Sequence, residues 1–211
     1  AWQGEISYRP NAPVQINTQQ MTLALANVLT GGSLPGAIQK GYSRKEITQL
    51  QSTFTHFFDQ VLGAERATLV GEIGFTHVGG LESKRKNRYG RDPIYGITGS
   101  AVDPNETSMA RYGDKGYTTA NSWGYRVRGQ LDYSDVFAGI NLKPNMAFSH
   151  DVKGYGPNGL FNEGAKAVSL GLDADYKHTY TAGLSYTNFF DGRYNTMKDR
   201  DFVSLTFGVN F

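Results

Sequence analysis

Seven charged residues sit at spacings that suit work on a solute. Arg126, Arg128 and Asp132 fall at alternate positions of one segment, and Lys143 lies on the next. Asp173 and Asp175 lie on the one after that, and Glu72 on an earlier one. An extended chain turns successive side chains to opposite faces, so even spacing gathers these charges on one surface. Rings of charged side chains in a pore select or orient what passes. The alternative is a cluster that neutralises itself and fills the interior. For a closed barrel of eight strands, whose inside holds only side chains, the filled interior is the stronger reading. For part of a wider barrel, the charged constriction gains.

Other chemistry is sparser. Residues Asn17 to Gly32 (NTQQMTLALANVLTGG) break the extended pattern and read as a helix. Asn17 is placed to cap it, Gln20 stands at the reciprocal capping position, and Gly31-Gly32 can stop it. Met21, Leu25, Val28 and Leu29 share one face, either to plug a lumen or meet a hydrophobic substrate, or simply to pack on a rim. Lys84, Arg85, Lys86, Arg88 and Arg91 form a basic run suited to lipopolysaccharide phosphates, with a solvated loop as the plainer reading. His56, His77, His150 and His178 lack metal-ligand spacing, and the carboxylates between 151 and 164 are too few for calcium. Ser149 and His150 are neighbours on opposite faces of a strand, so they cannot form a nucleophile–base pair. Neither an enzyme nor a cofactor is expected.

The elements that must hold these side chains are strands. At the end of the chain Val203, Leu205, Phe207, Val209 and Phe211 alternate with Ser204, Thr206, Gly208 and Asn210. The same alternation predicts strands over 168–176, 180–187, 123–133 and 138–149, and more weakly over 2–9, 47–58 and 67–77. Short links (59–65, 134–135, 177–179) alternate with long ones (10–44, 78–121, 151–166, 191–200). A meander so connected puts every long loop at one end and both termini at the other.

The apolar positions of these strands include no Asp, Glu, Lys or Arg, as a lipid-facing surface demands. The opposite face is mostly Ser, Thr, Gly, Asn and Gln, too poor in charge for an ordinary soluble exterior. Tyr133, Phe137, Tyr176, Tyr180 and Phe211 are predicted to form one aromatic belt, and Trp123, Tyr125, Phe148, Phe189 and Phe190 another. The reading is all-β: an antiparallel transmembrane β-barrel with about eight strands in one domain over residues 1–211. The chain has no cysteine, so disulfide and thiol chemistry are excluded. A formal charge of +2 is too small to argue for nucleic acid. No run of 18 apolar residues offers a transmembrane helix. Ala1 opens almost directly into a strand, which suits a processed chain or part of a longer one.

Several stretches resemble a known family: WQGEISYRPNAPVQIN, GYSRKEITQLQSTFTHFF, VGEIGFTHV, SWGYRVRGQLDYSDVFAGINLKP, FSHDVKGYGPNG and FNEGAKAVSLGLDADY. They are similar to the uncharacterised proteobacterial outer-membrane proteins known as domain of unknown function 1302, and to the C-terminal part of its longer members. That resemblance implies a barrel in the outer membrane of a Gram-negative bacterium. It also implies a neighbourhood with a periplasmic lipid-carrier-like protein and a resistance-nodulation-division exporter. It brings no catalytic or binding residues. The terminal pattern of Phe207, Val209 and Phe211 resembles the signal read by the barrel-assembly machinery. The expected role is passage or delivery of a small or lipophilic molecule, in contact with outer-membrane lipid and lipopolysaccharide. The alternative is a non-conducting structural or adhesion barrel with a filled lumen. Pairing of the first strand with the last would favour the filled barrel. A free first strand would mean a larger pore, completed by an N-terminal portion of the same barrel or by another chain.

Overall fold

A computed structural model describes residues 1–29, 40–97 and 107–210. Eight strands follow one another: β1 (Trp2–Gln15), β2 (Tyr42–Val61), β3 (Ala64–Gly79), β4 (Asn121–Phe137), β5 (Ile140–Lys153), β6 (Lys166–Tyr176), β7 (Tyr180–Phe190) and β8 (Phe202–Val209). Each pairs antiparallel with its chain neighbour, giving one sheet in the order β1 to β8. No ladder joins β1 to β8 among the described residues, so the sheet is open. The strands run longer than the alternation alone marks, because they continue beyond their strictly alternating cores.

The links at one end are tight. Leu62-Gly63 turns β2 into β3 with both residues at positive φ (55° and 78°), as a two-residue hairpin that matches strand twist requires. Ala138-Gly139 turns β4 into β5 in the same way (54° and 84°). The turn therefore lies beyond Ser134-Asp135, the link expected from the sequence. β4 runs on through an irregularity between Tyr133 and Phe137. There Asp135, at positive φ, accepts the Gly139 N–H at 2.8 Å and donates its own N–H to Asn141 Oδ1 at 2.9 Å.

The two faces of the sheet divide as the alternation predicts. Ile6, Leu50, Ile73, Met146, Leu170, Leu184 and Leu205 all lie exposed, with Ile6 at 71% and Leu205 at 62%. This apolar face is covered by nothing within the described chain, so it is not where the core lies. The core sits on the other face, at the long-loop end. Ala12, Val14, Ile47 and Val78 turn inward there beneath Tyr89 of the connection between β3 and β4. Phe189 shares this inward parity with Thr187 and Ser185, which removes it from the outer aromatic belt in which the sequence placed it; Phe190 keeps the outward position.

A partly buried ion pair seals the edge of this core. Lys45 Nζ donates to Glu82 Oε2 at 2.6 Å and to the Gly80 carbonyl at 2.7 Å, while Tyr89 Oη donates to the same carboxylate at 2.5 Å. Burial on its own would raise the Glu82 pKa. The hydrogen bonds from Lys45 and Tyr89 outweigh it and bring the carboxyl down from 4.5 to about 2.

Helix α1 (Thr18–Leu29) follows β1. Asn17 caps it as predicted, accepting the Gln20 N–H at 3.3 Å. Asn17 also donates through its amide to the carbonyls of Gly90 and Arg91, and through its backbone to that of Arg88. The reciprocal half of the capping box is not made. Gln20 turns outward instead, accepting the Arg88 N–H at 2.9 Å and donating to the Lys86 carbonyl. Met21 is half-buried while Leu25, Val28 and Leu29 are exposed, so of the predicted apolar face only its first residue is partly covered. The expected stop at Gly31-Gly32 lies outside the described residues.

The depressed Glu82 pKa makes the loop core pH-dependent. The stabilisation is complete above the ordinary value of 4.5 and is lost as pH falls through about 2. Its full size is on the order of 3 kcal/mol. Hydrogen exchange of the amides around Glu82 should speed up across that window, and Glu82→Gln should abolish the dependence.

Candidate functional site

Register brings one row of side chains across the polar face. Glu72 lies opposite Arg126, Arg126 opposite Ser149, Ser149 opposite Ala167, and Ala167 opposite Phe189. The predicted charges do share this face, but they do not neutralise one another. Glu72 accepts from Gln51 and Thr53, at 2.7 and 3.2 Å, and not from Arg126 directly across the ladder. Asp132 accepts from Gln130, and Asp173 from Asn145 although Lys143 stands opposite it. Asp175 receives Asn141 and lies 3.2 Å from His178. The side chains of Arg128 and Lys143 have no hydrogen-bond or ion-pair partner among the described residues. The self-neutralised cluster is therefore not formed. Among the described residues, Arg126 is the one cation of this set that pairs with a carboxylate, Asp151 at 2.9 Å, a partner that the spacing did not single out.

Asp151 organises what covers the face. Its other carboxylate oxygen accepts the Asn162 N–H at 2.9 Å, and its backbone bonds to Gly164 and Ala165. The connection between β5 and β6 thereby folds into a small hairpin bridged at Tyr155 and Asn162. This third long loop lies across the polar side of the sheet. Phe161 is buried and its Cζ stands 3.3 Å from the point where a Cβ on Gly74 of β3 would be. At the tip, Asn158 reaches β1, 143 residues away in sequence. Its Oδ1 accepts the Gln15 N–H at 3.2 Å and its Nδ2 donates to the Pro13 carbonyl at 3.2 Å. The side-chain amide occupies the free edge of β1 as a peptide group of a further strand would. Asn158 holds left-handed backbone angles (φ 54°, ψ 33°), which asparagine tolerates better than most residues.

A ring of tyrosines stiffens the loops around it. Tyr95, Tyr155 and Tyr194 pack together with Tyr112, joining three different connections. Burial first, then the charge of Glu163, pushes the Tyr155 phenol well above its ordinary pKa. Arg91 enters this cluster and is 8% exposed. Its guanidinium donates to the carbonyls of Gly113, Lys115 and Tyr95 and lies over the rings of Tyr117 and Tyr194. It thus binds loop to loop and is not offered to a surface phosphate. Of the basic run, Lys84 pairs with Asp114 at the surface, Arg85 and Lys86 are exposed, and Arg88 is half-buried. Phe207 and Val209 project into the exposed apolar face, while Phe211 lies outside the described residues.

Between the sheet and these loops lies a chamber of about 620 Å³. Arg126, Ser149, Ala167 and Phe189 form its floor, and the second, third and fourth long loops form its walls. Two smaller cavities, of about 200 and 250 Å³, also border Arg126 and Glu72. Arg126 alone of the predicted charges stands where all three meet. The infolded loop escaped the sequence reading, although Gly156-Pro157-Asn158-Gly159 is a turn signal, because the side it folds to is a tertiary property.

The chain belongs to the family described as protein of unknown function (DUF1302), whose model matches residues 1–211. No curated protein and no solved structure matches it.

Removing the Asn158 side-chain amide tests the latch. Asn158→Ala deletes two hydrogen bonds worth about 1 kcal/mol each. The Gln15 amide should then exchange roughly tenfold faster or more, with amides of the β6–β7 ladder unchanged.

Proposed function

We propose that this chain forms part of the wall of a β-barrel in the outer membrane of a Gram-negative bacterium, and that a small solute passes along its polar face. The observation that carries the reading is the pairing of an uncovered apolar face, free of charge between the strand ends, with a polar face onto which a loop folds. Lipid would meet the first and water the second. Arg126 and Asp151 line the chamber on this face, and Arg128 lies on the same face beside a smaller cavity.

The open edges favour a pore over a filled eight-stranded barrel. β1 and β8 run antiparallel to each other, with their outer ends at the tight-turn side. Antiparallel continuation from one edge to the other therefore needs an even number of further strands, from the same protein or from another chain. Delivery of a lipophilic molecule with a periplasmic carrier fits the same frame by family analogy. Phe207 and Val209 suit recognition by the barrel-assembly machinery, and Lys84, Arg85 and Lys86 suit lipopolysaccharide phosphates.

Two measurements test the proposal with the full-length protein. Leu170→Arg places a cation on the exposed apolar face, at a cost of roughly 2–4 kcal/mol near mid-bilayer. It should cut insertion into lipid vesicles, whereas Ser169→Arg on the inner face should not; equal insertion would count against a lipid-facing surface. In planar bilayers, Arg126→Ala should raise unit conductance and weaken anion preference. A protein that inserts but carries no current would refute passage and restore the non-conducting alternative.

A further inference from the structure

One cation of the polar face stands uncommitted beside small side chains. Arg126 is paired with Asp151 at 2.9 Å, and Lys143 has the Asp173 carboxylate directly across the ladder. The Arg128 guanidinium carries a full set of N–H donors and no acceptor, yet it has no partner among the described residues. The ladders place Ala147 of β5 beside Arg128 and Ser169 of β6 beside Ala147, with Ser149 the next residue along the same face of β5. Ala147 offers only a methyl group, so the polar side chains around it border an open spot. Arg128, Ala147, Ser149 and Ser169 all line the cavity of about 250 Å³. The Ser169 oxygen accepts the Thr187 hydroxyl at 3.0 Å, which leaves its own proton to donate. The Ser149 hydroxyl is uncommitted among the described residues. Glu72 borders the cavity from the β3 side, where its carboxylate is taken by Gln51 and Thr53 of β2, at 2.7 and 3.2 Å. The spot beside Arg128 is therefore rich in donors and lacks an acceptor.

We propose that this spot binds the carboxylate of a small organic monoanion. The carboxylate oxygens accept from the Arg128 guanidinium, whose planar fork suits them, and from the hydroxyls of Ser149 and Ser169. A short hydrocarbon body rests on Ala147 and Ala167, which leave room for it. One free cation, with Glu72 on the other side of the cavity, suits a single negative charge and disfavours a phosphate dianion. The site deepens the passage reading, on which its place in transport rests, by naming the class of solute; binding itself can be measured without flux.

Calorimetric titration of the full-length protein in detergent micelles with benzoate provides the test, with benzamide as the uncharged isostere and inorganic phosphate as the competing anion. Saturable benzoate binding is expected, with benzamide and phosphate each binding at least about tenfold more weakly. Arg128→Gln should weaken benzoate by roughly tenfold or more without lowering the melting temperature, because the guanidinium has no partner in the fold. Arg128→Lys, which keeps the charge and loses the fork, should recover only part of the affinity. Ala147→Leu should abolish binding by filling the spot while leaving Arg128 in place. Absence of saturable benzoate binding, equal affinity for benzamide or phosphate, or unchanged affinity in Arg128→Gln or in Ala147→Leu would each overturn the assignment. Benzoate binding without conductance would sink passage and leave the site standing; conductance without benzoate binding would sink the site alone.

Discussion

The constraint on which this structure depends is the two-residue period of an extended chain held in a single antiparallel sheet. Once the ladders are formed, every side chain belongs to one of two surfaces, and a shift by one residue would exchange them. The chain keeps to that constraint through the middle of every strand. Between the strand ends one surface carries Leu, Ile, Val, Phe and Tyr with no charge, and Arg44, Glu46, Glu65 and Lys166 share its parity only at the ends of β2, β3 and β6; the other carries hydroxyls, amides, glycines and most of the ionised groups. The usual arrangement of a soluble sheet, with its apolar side packed against a second layer, is absent from the described chain. Its apolar residues are among the most exposed in the molecule. What is buried instead is a band on the polar side, where loops come down and cover Val14, Ile47 and Val78.

That inversion explains how the loops are built. A loop lying over a polar surface must satisfy its own backbone and the groups beneath it. The long connections do so with amides and guanidinium groups more than with apolar packing. Asn17 bonds to three residues of the second long loop, Arg91 gathers three carbonyls, and Asp151 holds both Arg126 and the third loop. The tyrosines add bulk and rigidity at the junctions. The cavities lie where these braces stand apart.

Much of the fold was legible in the sequence, because strand alternation is a local signal that the ladder preserves. All eight strands, the alternation of tight and long links, the charge-free face and the Asn17 cap could be read directly. Turn positions were read less well. Tyr133 to Phe137 kept extended character through a local irregularity, so the hairpin closed four residues later than Ser134-Asp135 suggested. The site was only half legible. Its polar face could be assigned by parity, yet the partners of its charges could not. Neighbouring amides captured Glu72 and Asp173, and a loop carboxylate captured Arg126. Arg91 looked like the other cations of its run, since nothing local separates a buried guanidinium from a solvated one. The third loop's path rests on contacts across more than a hundred residues, which no spacing reveals.

The side-chain amide on the free edge of β1 limits how the sheet can grow. Backbone groups at Pro13 and Gln15 are taken by Asn158, and proline brings no N–H of its own. Below them, the rung is interrupted between Arg9 and Ala12. A neighbouring ribbon can therefore zip onto β1 only from Trp2 to about Arg9 before meeting an occupied stretch. The seam would be shorter than the strand that offers it, leaving a notch at the long-loop end into which the tip of the third loop is already wedged.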